Sequence, residues 1–196
     1  MIPPRTFVDA ARELGFALWT GVPCSYLTPF INYVIDDPES HYVAAANEGD
    51  AVSIAAGATL AGQRAIVMFQ NSGLGNAVNP LTSLTHTFRI PVLLIVTLRG
   101  EPGGAGDEPQ HELMGAITTQ MLELLQIPWA YFPTAAEDVA AVLNRATDHM
   151  ARASTPFALV MRKGSVDRHE LRSRPQARPH PVSNGVAEAG VAISSR

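Results

Sequence analysis

Four short segments of the sequence contain the residue types that enzymes use to move protons and to hold polar ligands. Together they supply carboxylates, amides, hydroxyls, a histidine and several glycines, in segments 21–27, 46–50, 70–76 and 99–111. Carboxylates and histidine are common proton donors and acceptors, and glycine lets the backbone come close to a ligand. The pattern predicts acid–base chemistry on a small bound molecule if the fold brings the four segments together.

Glu48 is the first candidate for such chemistry, and two interpretations of it remain open. It stands at the start of an alanine-rich stretch that predicts a helix. A carboxylate at a helix N-terminus is stabilised by the helix dipole by up to about 1 kcal/mol, which would be a purely structural role. Alternatively, apolar surroundings favour a protonated carboxyl group, which can share its proton with a ligand nitrogen.

Segment 72–76, with the sequence Ser-Gly-Leu-Gly-Asn, has the glycine content of a phosphate-binding loop. A dinucleotide fingerprint needs a third glycine where Val78 stands, and the lysine of a P-loop is absent. Two interpretations remain, a tight strand-to-helix turn and a close backbone approach to a planar or polar ligand. Nucleotide binding by this loop alone is weakly supported.

The histidine and cysteine content argues against a metal site in this chain. His111 and Glu112 resemble the start of a zinc-binding HExxH helix, but the second histidine is replaced by Gly115. Taken alone, His111 is more often a surface or capping residue than a catalytic one. Cys24 is the single cysteine, which excludes an internal disulfide framework and a cysteine-built zinc site. We expect no metal ligands here.

The elements that must position these segments follow from the hydrophobic pattern. Six short apolar or β-branched runs predict strands at 16–20, 41–45, 65–69, 92–97, 129–132 and 157–161. Helical patterns lie between them, at 4–14 and from Thr134, where Thr134 and Glu137 have the spacing of a capping box. This alternation predicts an α/β fold, a three-layer α/β/α arrangement with a mostly parallel sheet of five to six strands. All four segments would then lie at the carboxyl ends of strands, where such sheets bind ligands.

Composition sets the broad class. The chain of 196 residues is 46% hydrophobic and carries 14 basic and 18 acidic side chains, a net charge of −4. We therefore expect a cytoplasmic protein with neither nucleic acid nor membrane as its partner. Residues 1–167 form the predicted domain. Residues 168–196 hold five arginines, two glutamates and three prolines, which predicts a basic linker or tail.

As a set, the four segments resemble the pyrimidine-binding domain of thiamine-diphosphate-dependent decarboxylases, over residues 7–165. The resemblance is carried by Gly-Val-Pro-Cys-Ser at 21–25, Asn-Glu-Gly-Asp-Ala at 47–51, Gln-Asn-Ser-Gly-Leu-Gly-Asn-Ala at 70–77 and Asp-Glu-Pro-Gln-His at 107–111. It is strongest to the phosphonopyruvate branch, favoured by segments 100–103 and 107–111, with the sulfopyruvate branch a near relative. Where the family pattern has a lysine, this chain has Gly-Ala-Gly at 104–106.

The resemblance implies roles for individual residues. The glutamate matching Glu48 is catalytic, because it hydrogen-bonds the pyrimidine N1′ of thiamine diphosphate and promotes loss of the thiazolium C2 proton. His111 matches a residue that relays protons, and Ser25 and Gln110 match the part of the site that faces substrate. The cofactor would also contact a short loop made of Asn71, Ser72, Gly73 and Gly75.

The resemblance also implies a missing half. Family members bind the diphosphate through Mg²⁺ held by a Gly-Asp-Gly segment, which does not occur in this sequence. We therefore expect a subunit or N-terminal half whose partner, a diphosphate-binding subunit or domain in a homo- or hetero-oligomer, supplies Mg²⁺ binding. The implied reaction converts the small 2-oxo acid 3-phosphonopyruvate to phosphonoacetaldehyde and CO2. The alternatives are a sulfopyruvate decarboxylase alpha subunit and a non-catalytic pyrimidine-domain module.

Overall fold

Six parallel strands form one sheet in the computed structural model, which describes residues 1–173. The strand order is β2-β1-β3-β4-β6-β5. The strands are β1 Phe16–Gly21, β2 His41–Ala44, β3 Arg64–Gln70, β4 Leu93–Thr97, β5 Trp129–Tyr131 and β6 Phe157–Met161. The helices are α1 Pro4–Glu13, α2 Thr28–Asp36, α3 Glu48–Leu60, α4 Leu74–Asn79, α5 Glu112–Leu124 and α6 Glu137–Ala153.

The predicted strands are confirmed, each to within one residue at either end. The predicted start of the sixth helix is wrong. α6 begins at Glu137 with Ala136 as its N-cap, and no side chain caps it. The N–H groups of Asp138 and Val139 donate to the carbonyls of Ala135 and Ala136, at 3.2 Å each. Backbone acceptors thus take the first-turn donors, and the capping box at Thr134 does not form.

Two hydrophobic cores lie on opposite faces of the sheet and give the three layers. Along β3, Ile66 and Met68 enter the core shared with α1, α2 and α6. Ala65, Val67 and Phe69 alternate with them and enter the core shared with α3, α4 and α5. Such alternation is what a strand covered on both faces requires.

Two neighbouring features of the fold affect the candidate site. β2 is an edge strand whose residues are mostly exposed. The next helix, α3, has small side chains on its buried face, where Ala51, Ala55 and Ala56 pack against the sheet. Small side chains let α3 lie close to β1 and β3, so its N-terminal residue reaches the turn that follows β3.

Residues 168–173, the start of the predicted linker, lie against the C-terminal end of α2. Asp36 there accepts hydrogen bonds from His169 Nε2 at 2.9 Å and from the N–H groups of Arg172 and Ser173. Burial alone would raise the pKa of Asp36, but these hydrogen bonds lower it well below its ordinary value. Residues 174–196 lie outside the described part of the chain, and the domain boundary stays a prediction. Among residues 1–173, no helix has both the length and the apolar character needed to cross a bilayer.

The approach of β1 to β3 at Gly21 leads to the first prediction. A Cβ atom at Gly21 would overlap the backbone carbonyl of Met68, which cannot move without breaking the strand pairing. We expect Gly21→Ala to lower the free energy of unfolding by at least about 2 kcal/mol, measured by urea unfolding. The control is Gly57→Ala in α3, where a Cβ meets nothing within 4 Å, so alanine should raise stability by about 1 kcal/mol. Equal effects of the two changes would contradict this packing.

Candidate active site

Four hydrogen-bonding contacts link the predicted segments at the carboxyl ends of β1, β3 and β4. The Cys24 thiol faces Gln70 Oε1 at 3.6 Å, and Ser25 Oγ accepts from Arg99 Nη1 at 3.3 Å. Gln70 Nε2 lies 3.3 Å from His111 Nε2. The fourth contact joins Glu48 to the loop after β3, through the amide of Asn76. The structure therefore brings all four segments to one place.

Glu48 is the first residue of α3, but the capping function belongs to its neighbour. The Asn47 side chain accepts a hydrogen bond from the Gly49 N–H at 2.7 Å and caps the helix. The Glu48 carboxylate instead extends toward the loop after β3, where its Oε2 accepts from Asn76 Nδ2 at 2.8 Å. Its Oε1 accepts no hydrogen bond from another residue in the described part of the chain. Glu48 is half-buried, so this oxygen is available to a ligand.

Gly73 is required by the side chain that lies over it. A Cβ atom at Gly73 would overlap the Glu48 side chain, at 2.6 Å from its Oε1 and closer still to Cγ. Only glycine leaves room for the carboxylate to lie across the short helical turn Asn71–Gly73. At Gly75, by contrast, a Cβ atom would meet nothing within 4 Å, and the residue is exposed. Gly75 therefore presents bare backbone to the outside of this chain.

His111 is buried, with 7% of its surface exposed, so the surface interpretation of this residue is wrong. It ends the short helical turn Pro109–His111 that leads into α5. Its Nδ1 lies 3.1 Å from Asp107 Oδ1 and its Nε2 faces the Gln70 amide. Gln70 Nε2 also donates to Ser72 Oγ at 2.7 Å. The ring is thus held on both sides by polar partners.

Asp107 and Arg99 form an ion pair beneath His111. Arg99 donates through both Nε, at 2.7 Å, and Nη2 to the two carboxylate oxygens. The Gly100 and Glu108 N–H groups donate to the same carboxylate at 3.0 and 2.9 Å. The hydrogen bonds from Arg99 lower the pKa of Asp107 far below its ordinary value, against the opposing effect of burial. Asp107 in turn raises the pKa of Arg99, so both groups stay charged.

Two glycines hold this loop against α5. A Cβ atom at Gly115 would overlap the carbonyl of Gly100, and one at Gly100 would overlap the carbonyl of His111. Gly100 also has φ +68°, a left-handed conformation that favours glycine. The residue that breaks the zinc motif is therefore the point at which the loop after β4 touches the helix.

The Asn71 side chain has a structural role, because it connects two loops of the site. It is completely buried, and its Nδ2 donates to the Arg99 carbonyl and to Thr118 Oγ1, at 2.9 Å each. Its side chain joins the turn after β3 to the loop after β4. Ser72 is exposed beside it. The contact of Asn71 with the cofactor stays a prediction, because the whole residue, backbone included, is buried in this chain.

The two residues predicted to face substrate, Ser25 and Gln110, differ in their hydrogen bonding. Ser25 is exposed at the cluster, where it accepts from Arg99. Gln110 is exposed, and its side chain makes no hydrogen bond with another described residue. The structure adds residues that the sequence interpretation gave no role: Gln70, Asn76, Arg99 and Asp107. Their place in the segments that follow β3 and β4 was the signal available in the sequence.

Residues 1–173 contain no cluster of side chains that could bind a metal ion. No group of three or more histidine, cysteine, aspartate or glutamate side chains lies close enough together there to hold an ion. The carboxylates of the site have other partners, since Asp107 is paired with Arg99 and Glu48 bonds to Asn76.

Comparison with known proteins gives a consistent family. Residues 5–121 match the family described as thiamine pyrophosphate enzyme, N-terminal TPP binding domain. A phosphonopyruvate decarboxylase from Streptomyces viridochromogenes is 43% identical over 166 residues, which cover 85% of this chain and 42% of that protein. The sulfopyruvate decarboxylase subunit alpha of Methanocaldococcus jannaschii is 34% identical over 152 residues, covering 78% of this chain and 88% of the subunit. The chain thus spans less than half of the first relative.

Solved structures agree on the fold. The benzoylformate decarboxylase of Polynucleobacter necessarius superimposes with a TM-score of 0.69 at 22% identity, covering 91% of this chain and 34% of that one. A thiamine diphosphate-dependent 4-hydroxybenzoylformate decarboxylase from Rhodococcus jostii gives 0.65 at 20% identity, with the same coverage. The three-layer α/β/α architecture predicted from the sequence is confirmed.

The contact between Gly73 and Glu48 can be tested by a double-mutant cycle. Gly73→Ala forces the Glu48 side chain aside and should lower the free energy of unfolding by about 1–3 kcal/mol. In a Glu48→Ala background the obstructing atoms are gone, so most of that loss should disappear. The matched control is Gly75→Ala, which should be additive with Glu48→Ala to within about 0.5 kcal/mol. Additivity in the Gly73 cycle as well would show that the two residues do not touch.

Proposed function

Since the chain belongs to the thiamine pyrophosphate enzyme family and contains that family's N-terminal cofactor-binding domain, we propose that it is the pyrimidine-binding half of a decarboxylase. The proposed reaction converts 3-phosphonopyruvate to phosphonoacetaldehyde and CO2. Similarity to phosphonopyruvate decarboxylases over most of the chain supports this substrate. When bound, thiamine diphosphate supplies the nucleophilic carbon and the electron sink that decarboxylation requires.

The observation that carries the proposal is the geometry of Glu48. One carboxylate oxygen is oriented by Asn76, while the other has no partner in the described chain and lies over the glycine turn. A carboxyl group held in this way can share a proton with a ring nitrogen at a fixed distance. Ser72 on that turn and Gly75 in the first turn of α4 are both exposed and would border the ring.

The remaining residues of the cluster would act on the substrate. His111 would move a proton through Nε2, the ring nitrogen that faces the Gln70 amide. Ser25, on the loop after β1, and Gln110, on the loop after β4, would contact the substrate. Arg99 donates a hydrogen bond to Ser25, but its charge is neutralised by Asp107. We therefore assign recognition of the anionic head group mainly to the partner.

A partner is also needed to exclude water. Glu48 is half-buried in the chain alone, and the neighbouring edge strand β2 has exposed residues, such as Val43 at 39%. We propose that a diphosphate-binding domain or subunit covers this edge and holds the diphosphate through Mg²⁺. The complete enzyme would be a homo- or hetero-oligomer in the cytoplasm. Exclusion of water would favour the protonated form of Glu48 that its role requires.

A second candidate is a sulfopyruvate decarboxylase alpha subunit. It is supported by two relatives named as that subunit, 34% and 28% identical, of which the chain covers 88% and 89%. Sequence identity favours the phosphonopyruvate relatives, at 43% and 42%. The two functions share the same chemistry and differ in the anionic group of the substrate.

Reconstitution tests the proposed reaction. This chain, combined with a diphosphate-binding subunit that carries a Gly-Asp-Gly motif, thiamine diphosphate and Mg²⁺, should release CO2 from 3-phosphonopyruvate. We expect Glu48→Gln to reduce kcat by at least about 100-fold, because the amide cannot share a proton in the same way. The control Asp50→Asn changes an exposed carboxylate in the same helical turn and should retain activity. Full activity of Glu48→Gln would remove Glu48 from the mechanism.

Substrate preference separates the two candidates. The same complex should show kcat/KM for 3-phosphonopyruvate at least about tenfold above that for sulfopyruvate or pyruvate, a difference worth about 1.4 kcal/mol of transition-state binding. The measurement is coupled detection of each aldehyde product. A preference for sulfopyruvate would establish the second candidate in place of the first.

A further inference from the structure

Beyond these roles, we infer that Asp107 and Arg99 are positioning residues that hold His111 as its Nδ1–H tautomer. In this arrangement Nε2 carries a lone pair that faces the Gln70 amide. Neither residue belongs to the cofactor-binding turn, and neither is expected to touch the substrate. Their catalytic consequence rests on the proposed function, whereas the tautomer itself is a property of this chain.

Asp107 is held as an ionised carboxylate by the groups around it. Its carboxylate accepts hydrogen bonds from two nitrogens of Arg99, two backbone N–H groups and the Tyr26 hydroxyl, the last at 3.3 Å. An ionised carboxylate only accepts hydrogen bonds. The 3.1 Å contact between Asp107 Oδ1 and His111 Nδ1 therefore requires the proton to be on Nδ1.

The other side of the ring faces the Gln70 amide. Gln70 uses one N–H of its amide for Ser72 Oγ, at 2.7 Å, and its Oε1 faces the Cys24 thiol. With the amide in this orientation, its second N–H faces His111 Nε2 at 3.3 Å, and Nε2 is then the acceptor. Both sides of the ring thus specify the same neutral tautomer. Taking up a proton on Nε2 would require the Gln70 amide to turn over and present its oxygen.

The Asp107 carboxylate is also held rigidly. Asp107 could not select a tautomer from a mobile loop, but the bidentate Arg99 pair fixes its plane, as planar guanidinium groups do. Arg99 is itself held over the Tyr26 ring, with Cζ 4.8 Å from the ring centroid. The contact between Gly100 and Gly115 fixes the loop to α5. Two groups on opposite sides of His111 are therefore both fixed in direction.

The test reads the His111 tautomer in the full chain without cofactor, substrate or partner. Histidine is labelled with ¹⁵N, and the ring nitrogens are correlated with the ring carbon-bound protons at about pH 8, where histidine is ordinarily neutral. His111→Gln assigns the signal, and exposed His86 serves as the internal reference. Free imidazole side chains favour Nε2–H in water. We expect the opposite for His111, with a protonated-type Nδ1 and a pyridine-type Nε2.

Variants separate positioning from general stability. Asp107→Asn can donate through its amide, so His111 should shift to predominantly Nε2–H, as happens when a tautomer-selecting aspartate becomes asparagine. Arg99→Lys keeps the positive charge but loses the two parallel hydrogen bonds of the guanidinium group to Asp107, so His111 should become a mixture of tautomers. Glu112→Gln removes an exposed charge next to His111 in sequence, at the start of α5, and should leave the tautomer unchanged.

Each outcome decides the inference. An Nε2–H tautomer in the unaltered chain would overturn it without need of a variant that might fold poorly. An equal shift in Glu112→Gln would show that local charge, not the Asp107 hydrogen bond, sets the tautomer. Retention of a pure Nδ1–H form in Arg99→Lys would remove Arg99 from the inference. Because no turnover is measured, these results stand apart from success or failure of the proposed decarboxylation.

Discussion

The parallel pairing of β1, β3 and β4 is the constraint on which the rest of the molecule depends. It places the carboxyl ends of three strands, and therefore three loops, at one edge of the sheet. The small side chains of α3 bring Glu48 to the same edge. Close approach then needs glycine wherever backbone or a carboxylate crosses another element, at Gly73 beneath Glu48 and at Gly115 beneath the loop after β4.

Within that edge the polar groups divide into two sets with different tasks. Glu48 and Asn76 leave one carboxylate oxygen open toward the outside of the chain, beside the bare backbone of Gly75. Arg99 and Asp107 neutralise one another and face inward to His111. The first set is suited to a ligand that arrives with a partner. The second set, Arg99 and Asp107, is already paired before any ligand binds and supports His111 in a fixed position. Preorganised sites avoid rearrangement during reaction in this way.

Much of the fold and the location of the site could be predicted from the sequence, for local reasons. The strands are short apolar runs such as 65–69, and their ends determine where the four segments meet. The failures have one local cause and several non-local ones. The start of α6 depends on backbone acceptors at Ala135 and Ala136 that no pairing of Thr134 with Glu137 reveals. Burial of His111 depends on a loop held against α5, and the tasks of Gln70 and Asp107 depend on neighbours distant in sequence.

The central claim is that Glu48 activates a cofactor whose diphosphate end is held elsewhere. It is tested most directly by the rate at which the C2 hydrogen of bound thiamine diphosphate exchanges with deuterium in the reconstituted complex, followed by NMR after acid quench. We expect exchange to be at least about 100-fold faster in the complex with the unaltered chain than in the complex with Glu48→Gln. Equal exchange rates in the two complexes, with the cofactor bound in both, would contradict it.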